Sequence, residues 1–354
     1  MKGALLESGK EIRSLLIDLM KNALSSGAVS SVMIPSRGAE NSFPWILAYD
    51  VSALDKAEPV PPVMSVQGAK ALASFTQSTE KEKMLAVMRP CEARAAIELS
   101  KLEQIDLNNI IILTMDCPGA VPLSDFGEDG IMEPDFRKPE TIRPLCGQCS
   151  SFTSEGDVCL ARSGNDRILV PLTEKGQELL DSLGMKAESD TSAWMEWTKD
   201  LRKERQKIKT DAEDNLKNAY GGLNGLTEVF SGCIGCRNCR TVCPICYCRL
   251  CFIDMKDRRS PASAYLERSS NAGAAKLLSN TLLFHIGRMA HMSLSCVSCG
   301  MCEDACPSDI PIGRLVSMVS SNTTDIFDYS AGSNPEDPLP LNTFKLEELH
   351  EYEN

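Results

Sequence analysis

The sequence predicts an α+β chain in two parts: an N-terminal α/β domain with a mostly parallel sheet, then a helical, cysteine-dense C-terminal module. Two observations predict this. In the first half, short apolar runs of strand length alternate with segments of helical spacing. From Cys233 onward, closely spaced cysteines replace that alternation.

Along the chain, Ile12, Leu15, Leu16, Leu19 and Leu24 recur at helical spacing within residues 7–25, and Gly27 stops that helix. Strands are expected at 29–34, 45–49, 84–88 and 110–115. Pro59, Pro61 and Pro62 break the chain before a helix at 68–75, and Pro90 opens another through Leu102. Residues 191–219 are strongly charged, with Trp194, Trp197, Leu201, Ile208 and Leu216 roughly on one side, which reads as one connector helix or two. A further helix is expected near 274–292, and a closing helix starts at Ile310 to Gly313. The expected divisions are 1–190 (α/β domain), 191–228 (connector), 229–320 (cysteine module) and 321–354 (an acidic arm that docks on a partner).

Composition narrows the function classes. A chain of 354 residues that is 43% hydrophobic can bury full cores in two or three domains. A net charge of −12 argues against nucleic acid and anionic membrane surfaces and suits docking to a basic patch on another protein. The first residues carry Lys2, Glu7, Lys10, Glu11 and Arg13, unlike a signal peptide, and no apolar run reaches membrane-spanning length. Sixteen cysteines in such a chain imply thiolate ligands in a reducing cytoplasm, and an anaerobic or oxygen-protected setting. No Ser-His-Asp set, carboxylate pair or phosphate loop points to hydrolysis or phosphoryl transfer.

The cysteines carry the chemistry. Cys233, Cys236, Cys239 and Cys243 are spaced C-x2-C-x2-C-x3-C and followed by Pro244; Cys296, Cys299, Cys302 and Cys306 repeat the pattern before Pro307. This is the spacing of a two-[4Fe–4S] ferredoxin-like module, in which three thiolates hold one cube and the fourth reaches the other. A zinc ribbon would need only two C-x2-C pairs. The expected pairing is crossed: Cys233, Cys236, Cys239 and Cys306 on one cluster, Cys296, Cys299, Cys302 and Cys243 on the other. Within the intervening segment, Arg288 and His291 are candidate hydrogen-bond donors to a cluster.

Cys91 and Cys117 each lie just past the carboxyl end of an expected strand, the edge where open α/β sheets build sites; Cys146 and Cys149 follow as C-x2-C. A cysteine such as Cys91 taken alone is more often a small buried hydrophobe. The run RPCEARAAIELSKL (89–102), then DCPG (116–119), then CGQCSSFTSEGDVCLARSG (146–164) with VPLTEKGQELL (170–180), resembles the beta subunits of coenzyme F420-reducing hydrogenase and F420-linked formate dehydrogenase. The ferredoxin pair and acidic tail resemble the formate dehydrogenase branch most. The resemblance implies a third cubane on Cys91, Cys117, Cys146 and Cys149, and an FAD in this domain. No G-x-G-x-x-G supports a Rossmann site. Candidate flavin neighbours are Ser36, Arg37 and Gly38 after the first strand and Arg89, Glu92 and Arg94 around the Pro-Cys turn; the alternative is that the last of these are solvated helix charges.

Cys159, Cys246, Cys248 and Cys251 are left over. They either hold a fourth cluster or pack beside the ferredoxin ligands. The functional expectation is an electron-transfer subunit of a multisubunit oxidoreductase of formate dehydrogenase, hydrogenase or heterodisulfide reductase type, carrying clusters and FAD and bound to catalytic and electron-accepting subunits. The alternative is a flavin-free adapter wiring two larger redox proteins.

Overall fold

The computed structural model describes all residues except 7–8, 77–81, 127–133, 137, 249–250, 252–261, 273–278 and 341–354. Strand β1 (Lys2–Leu5) and helix α1 (Ile12–Ser25) lead into β2 (Ser31–Pro35) and β3 (Trp45–Ala48). Then come α2 (Gly68–Thr76), β4 (Met84–Val87), α3 (Pro90–Lys101), β5 (Ile110–Met115) and the one-turn α4 (Pro144–Gly147). The hairpin β6 (Val158–Ser163) and β7 (Asp166–Pro171) is followed by α5 (Glu174–Ser182) and β8 (Ser189–Asp190).

These strands form one sheet in the order β3-β2-β4-β5-β6-β7-β1-β8. Its centre, β2-β4-β5-β6, is parallel, and the remaining neighbours are antiparallel. The expectation of a mostly parallel sheet is therefore corrected to a mixed one. The reason is local: only Gly164 and Asn165 separate β6 from β7, and a two-residue turn returns a strand beside itself in the opposite direction. Alternation along the strands sorts the two faces. Met33, Met84, Ala86, Ile110 and Ile112 face α2 and α3, whereas Val32, Leu85, Val87, Ile111 and Leu113 belong to a second core with residues of α1 and α5.

The connector is one helix, α6 (Ser192–Tyr220), 29 residues long, followed by α7 (Gly222–Val229). Trp194, Thr198, Arg205 and Leu216 are its buried face. The module contains α8 (Asn238–Thr241), α9 (Ala262–Ala272), α10 (Ser279–Met292), α11 (Met301–Asp304) and α12 (Ile312–Phe327). It does not stand apart from the sheet. Phe284, Met289, Val297, Ile310, Ile312, Leu315 and Val316 share one apolar core with Met33, Ala86, Leu99 and Ile112. A buried ion pair clamps the same junction: Arg143 Nη2 lies 2.5 Å from Asp304 Oδ2, and Asp304 Oδ1 accepts the Leu123 N–H at 3.0 Å.

The start of the expected arm is also tied down within the chain. Buried Tyr329 donates its hydroxyl to Glu98 at 2.5 Å, and Gly332 N–H donates to the same oxygen at 2.7 Å. A Cβ on Gly332, whose φ is +70°, would lie 2.2 Å from the Arg94 carbonyl oxygen. The loosely ordered partner-docking arm expected from residue 321 is therefore corrected up to residue 340, where α12 and this contact hold the chain against α3; residues 341–354 lie outside the described set. Among the described residues, no helix is long and apolar enough to cross a membrane.

Candidate metal centres

Parallel pairing of β4 with β5 sets their carboxyl ends side by side. Cys91 then falls in the first turn of α3, opened by Pro90, and Cys117 two residues beyond β5, held by its N–H to the Phe152 carbonyl at 2.8 Å. Cys146 comes from α4, and Cys149 follows it with its N–H on the Cys146 carbonyl at 3.2 Å. The four thiols lie within charge range of one another: Cys91 with Cys117 and Cys149, and Cys146 and Cys149 with Cys117. Gly119 makes the approach of loop and helix feasible. Its φ is +113°, and a Cβ there would sit 2.7 Å from Ile142 and 3.1 Å from the Cys146 Cβ.

The two ferredoxin runs form two further sets. Cys233, Cys236, Cys239 and Cys306 line one cavity with Phe284 and His285. Cys243, Cys296, Cys299 and Cys302 line another with Arg288 and Met292. Each cavity is thus lined by three cysteines of one run and the last cysteine of the other. The Gly300 φ of +78° turns the chain between Cys299 and Cys302. Among the described residues, no three thiols, imidazoles or carboxylates stand close enough to share a single ion.

The sets are joined. Cys299 of the middle set and Cys91 and Cys146 of the α/β set pack against one small apolar cluster, Met64, Ala120 and Met301. Arg288 faces Cys302 and Cys243 of the middle set and Cys239 of the outer one. Burial pushes Cys302 up to about 12 and Cys149 to about 11, so thiolate ligation in these sites must release protons and draw on a strong metal–sulfur bond.

Cationic and imidazole groups surround the thiols. Buried Arg89 donates from Nη1 to the Gly119 carbonyl at 2.6 Å and toward Cys117 Sγ at 3.5 Å, and from Nη2 to the Pro61 carbonyl. His285 stacks on Phe230 with ring centroids 4.0 Å apart, and its Nε2 is 3.3 Å from Cys233 Sγ. Burial, then the nearby Arg288 charge, hold His285 down at about 4, so the ring is neutral. Of the two expected hydrogen-bond donors, Arg288 reaches the thiols and His291 is exposed on α10. The role of His285 was missed; its place on the apolar stripe of α10, seven residues before Met292, is the only trace of it in the sequence.

The leftover cysteines do not meet. Cys159 is fully buried in β6 beside Thr153, 3.7 Å from its hydroxyl, in a small core with Trp194. Burial pushes it up to about 12, and it behaves as a packed apolar residue. Cys246 lies against Cys243, with its Sγ 3.4 Å from Met292 Sδ; its thiol donates toward Cys243, lowering the pKa of Cys243 and raising its own. Cys248 is exposed and Cys251 half-buried.

The flavin candidates do not form a cradle. Ser36 donates to the Lys56 carbonyl, and Arg37 pairs with Glu58 at 2.6 Å. A Cβ on Gly38 would lie 2.5 Å from Ser42 Oγ. Glu92 accepts the Gly68 and Arg89 N–H groups at 2.9 and 2.8 Å, and Arg94 donates twice to the Ala331 carbonyl. These polar groups are spent on the fold and point to different places, so they do not fit an FAD.

Two cubane-spaced cysteine runs beside a mixed α/β sheet define an iron–sulfur protein. The comparisons agree: residues 228–310 match the 4Fe-4S dicluster domain family. The chain is 23% identical to the F420-dependent formate dehydrogenase 1 subunit beta of Methanococcus maripaludis over 96% of its own length and 95% of that protein. It is 24% identical to the F420-dependent formate dehydrogenase subunit beta of Methanocaldococcus jannaschii over 71% of its length and 74% of that protein. A chain of the F420-reducing [NiFe] hydrogenase complex from Methanosarcina barkeri overlays 63% of this chain and 95% of its own, at 14% identity and a TM-score of 0.47. The chain is thus similar to the beta subunits of F420-dependent formate dehydrogenases.

Proposed function

We propose that the chain is an iron–sulfur electron-transfer subunit of a multisubunit oxidoreductase of F420-dependent formate dehydrogenase or hydrogenase type, passing electrons between a two-electron carrier and one-electron acceptors. The observation that supports this reading is that Cys299 of the middle set packs against the same apolar cluster as Cys91 and Cys146, within charge range of Cys91, so the α/β and middle sets are neighbours. Clusters held there supply one-electron storage and transfer. Cys91, Cys117, Cys146 and Cys149 would hold the first, Cys243, Cys296, Cys299 and Cys302 the middle, and Cys233, Cys236, Cys239 and Cys306 the outer. The chain's own contribution is to hold the thiolates mostly half-buried, with Cys236 exposed, and to fix their directions from strand ends and short helices. The relatives' names support partner subunits, and the charge of −12 supports docking to a basic surface.

A second reading, a flavin-free adapter between two redox subunits, is favoured by the engagement of all six flavin candidates within the fold. Acid extraction of the anaerobically isolated complex separates the two readings; FAD released from this chain discards the adapter. The relay itself is tested with the chain in complex with its partners, by transfer of reducing equivalents from a two-electron carrier to a one-electron dye. Cys146→Ser should stop that transfer while the EPR signals of the C-terminal module survive. Unimpaired transfer in this variant takes the α/β half out of the path and overturns the reading.

A further inference from the structure

Arg288 is a buried cation on α10, only 3% exposed. It lines the cavity of the middle set with Cys243, Cys296, Cys299 and Cys302. Its guanidinium reaches Cys302 and Cys246, and it also faces Cys239 of the outer set. Two of its nitrogens, Nε and Nη1, are buried without a hydrogen-bond partner. Among the described residues no carboxylate forms an ion pair with it, and its favourable charge partners are thiolates. A buried, uncompensated guanidinium is costly, so something anionic must answer it. A cubane with four thiolates is anionic, and gains one further negative charge on reduction.

We propose that Arg288 is the electrostatic gate of the C-terminal module: it sits between the middle and outer thiol sets and raises the reduction potential of the clusters on both. The proposal rests on the relay reading above. The cation favours the reduced form of each neighbouring cluster, because the extra electron lies within its field in a poorly screened interior. The α/β set has a different balance. Arg89 stands beside Cys117 with Glu92 close by, and Arg143, Arg205 and Arg94 lie within charge range of Cys146 and Cys149. Arg288 touches no substrate, so it is a positioning and tuning residue.

The test uses the full chain, isolated anaerobically, with Arg288→Gln and Arg288→Lys. EPR-monitored redox titration reads each cluster's midpoint potential, and iron analysis reads cluster content. Arg288→Gln should lower the reduction equilibrium of both module clusters at least tenfold, about 59 mV for one electron, and leave the α/β cluster within a smaller shift. Arg288→Lys, which keeps the charge, should recover most of the difference. Unchanged module potentials in an iron-replete Arg288→Gln protein overturn the proposal. So does a Lys variant that shifts as far as Gln, or loss of module iron in both variants, which makes the residue structural only. Absence of module iron in the parent protein refutes the relay reading instead.

Discussion

The α/β set and the module sets solve one problem in opposite ways. In the module, three ligands of each set come from a stretch of seven residues, such as Cys296 to Cys302, and a short turn aims them at one point. In the α/β half, Cys91, Cys117 and the Cys146–Cys149 pair are brought together only by the parallel register of β4 and β5 and by the return of α4 onto the loop at Gly119. A local motif carries its own geometry; an assembled site borrows it from the fold. Damage to the scaffold should therefore empty the assembled site first.

The largest expected effects break the sets themselves. Cys306→Ser should remove about four irons from the cluster whose other ligands are Cys233, Cys236 and Cys239, and Cys243→Ser about four from the other, since each run's last thiolate crosses over. Iron analysis with EPR of the surviving cluster checks this; loss of the signal belonging to a variant's own run contradicts the crossing. Cys159→Ala should leave iron content unchanged. Next comes the clamp between the halves. Asp304→Ala strands buried Arg143 and should cost about 3–5 kcal/mol, read as a lowered denaturation midpoint. Gly119→Ala is smaller, about 1–3 kcal/mol for a non-glycine residue forced into that conformation and against Ile142 and Cys146. Its iron loss should fall on the α/β set alone, and equal loss from the module would erase the contrast drawn here.

The smallest effect is one of pH. Burial raises the half-buried Glu155 from its ordinary 4.5 to about 7. A carboxyl raised by folding contributes stability below its unfolded pKa, and that contribution is lost as pH rises through the folded value. Glu155→Gln should flatten the decline in stability across that window, measured as denaturant midpoints at its two ends; an unchanged slope removes Glu155 as a cause.

The legibility of the sequence follows the same division. The two ferredoxin runs and strands β2 to β5 could be read from contiguous residues, because spacing and apolar runs are local signals. Strands β6 and β7 could not: Arg162, Asp166 and Arg167 interrupt their apolar pattern, and the antiparallel edge of the sheet went unread with them. Cys159 looked like a ligand because a cysteine count is blind to direction, whereas β6 turns it into a dry core beside Trp194. Arg89, Glu92 and Arg94 looked like cofactor contacts because polar residues near a turn announce themselves, while the backbone groups that absorb them are invisible in a sequence. The convergence of Cys91, Cys117, Cys146 and Cys149 came from the family resemblance, and the fold supplies its physical cause.

The central claim is that the chain holds three cluster sites, one assembled and two local. Iron and acid-labile sulfide analysis of the complete chain and of Cys91→Ser, both isolated anaerobically, tests it most directly. The account predicts about 12 irons per chain in the parent and about 8 in the variant, at four per cubane, with both module EPR signals retained. About 8 irons in both proteins would contradict it.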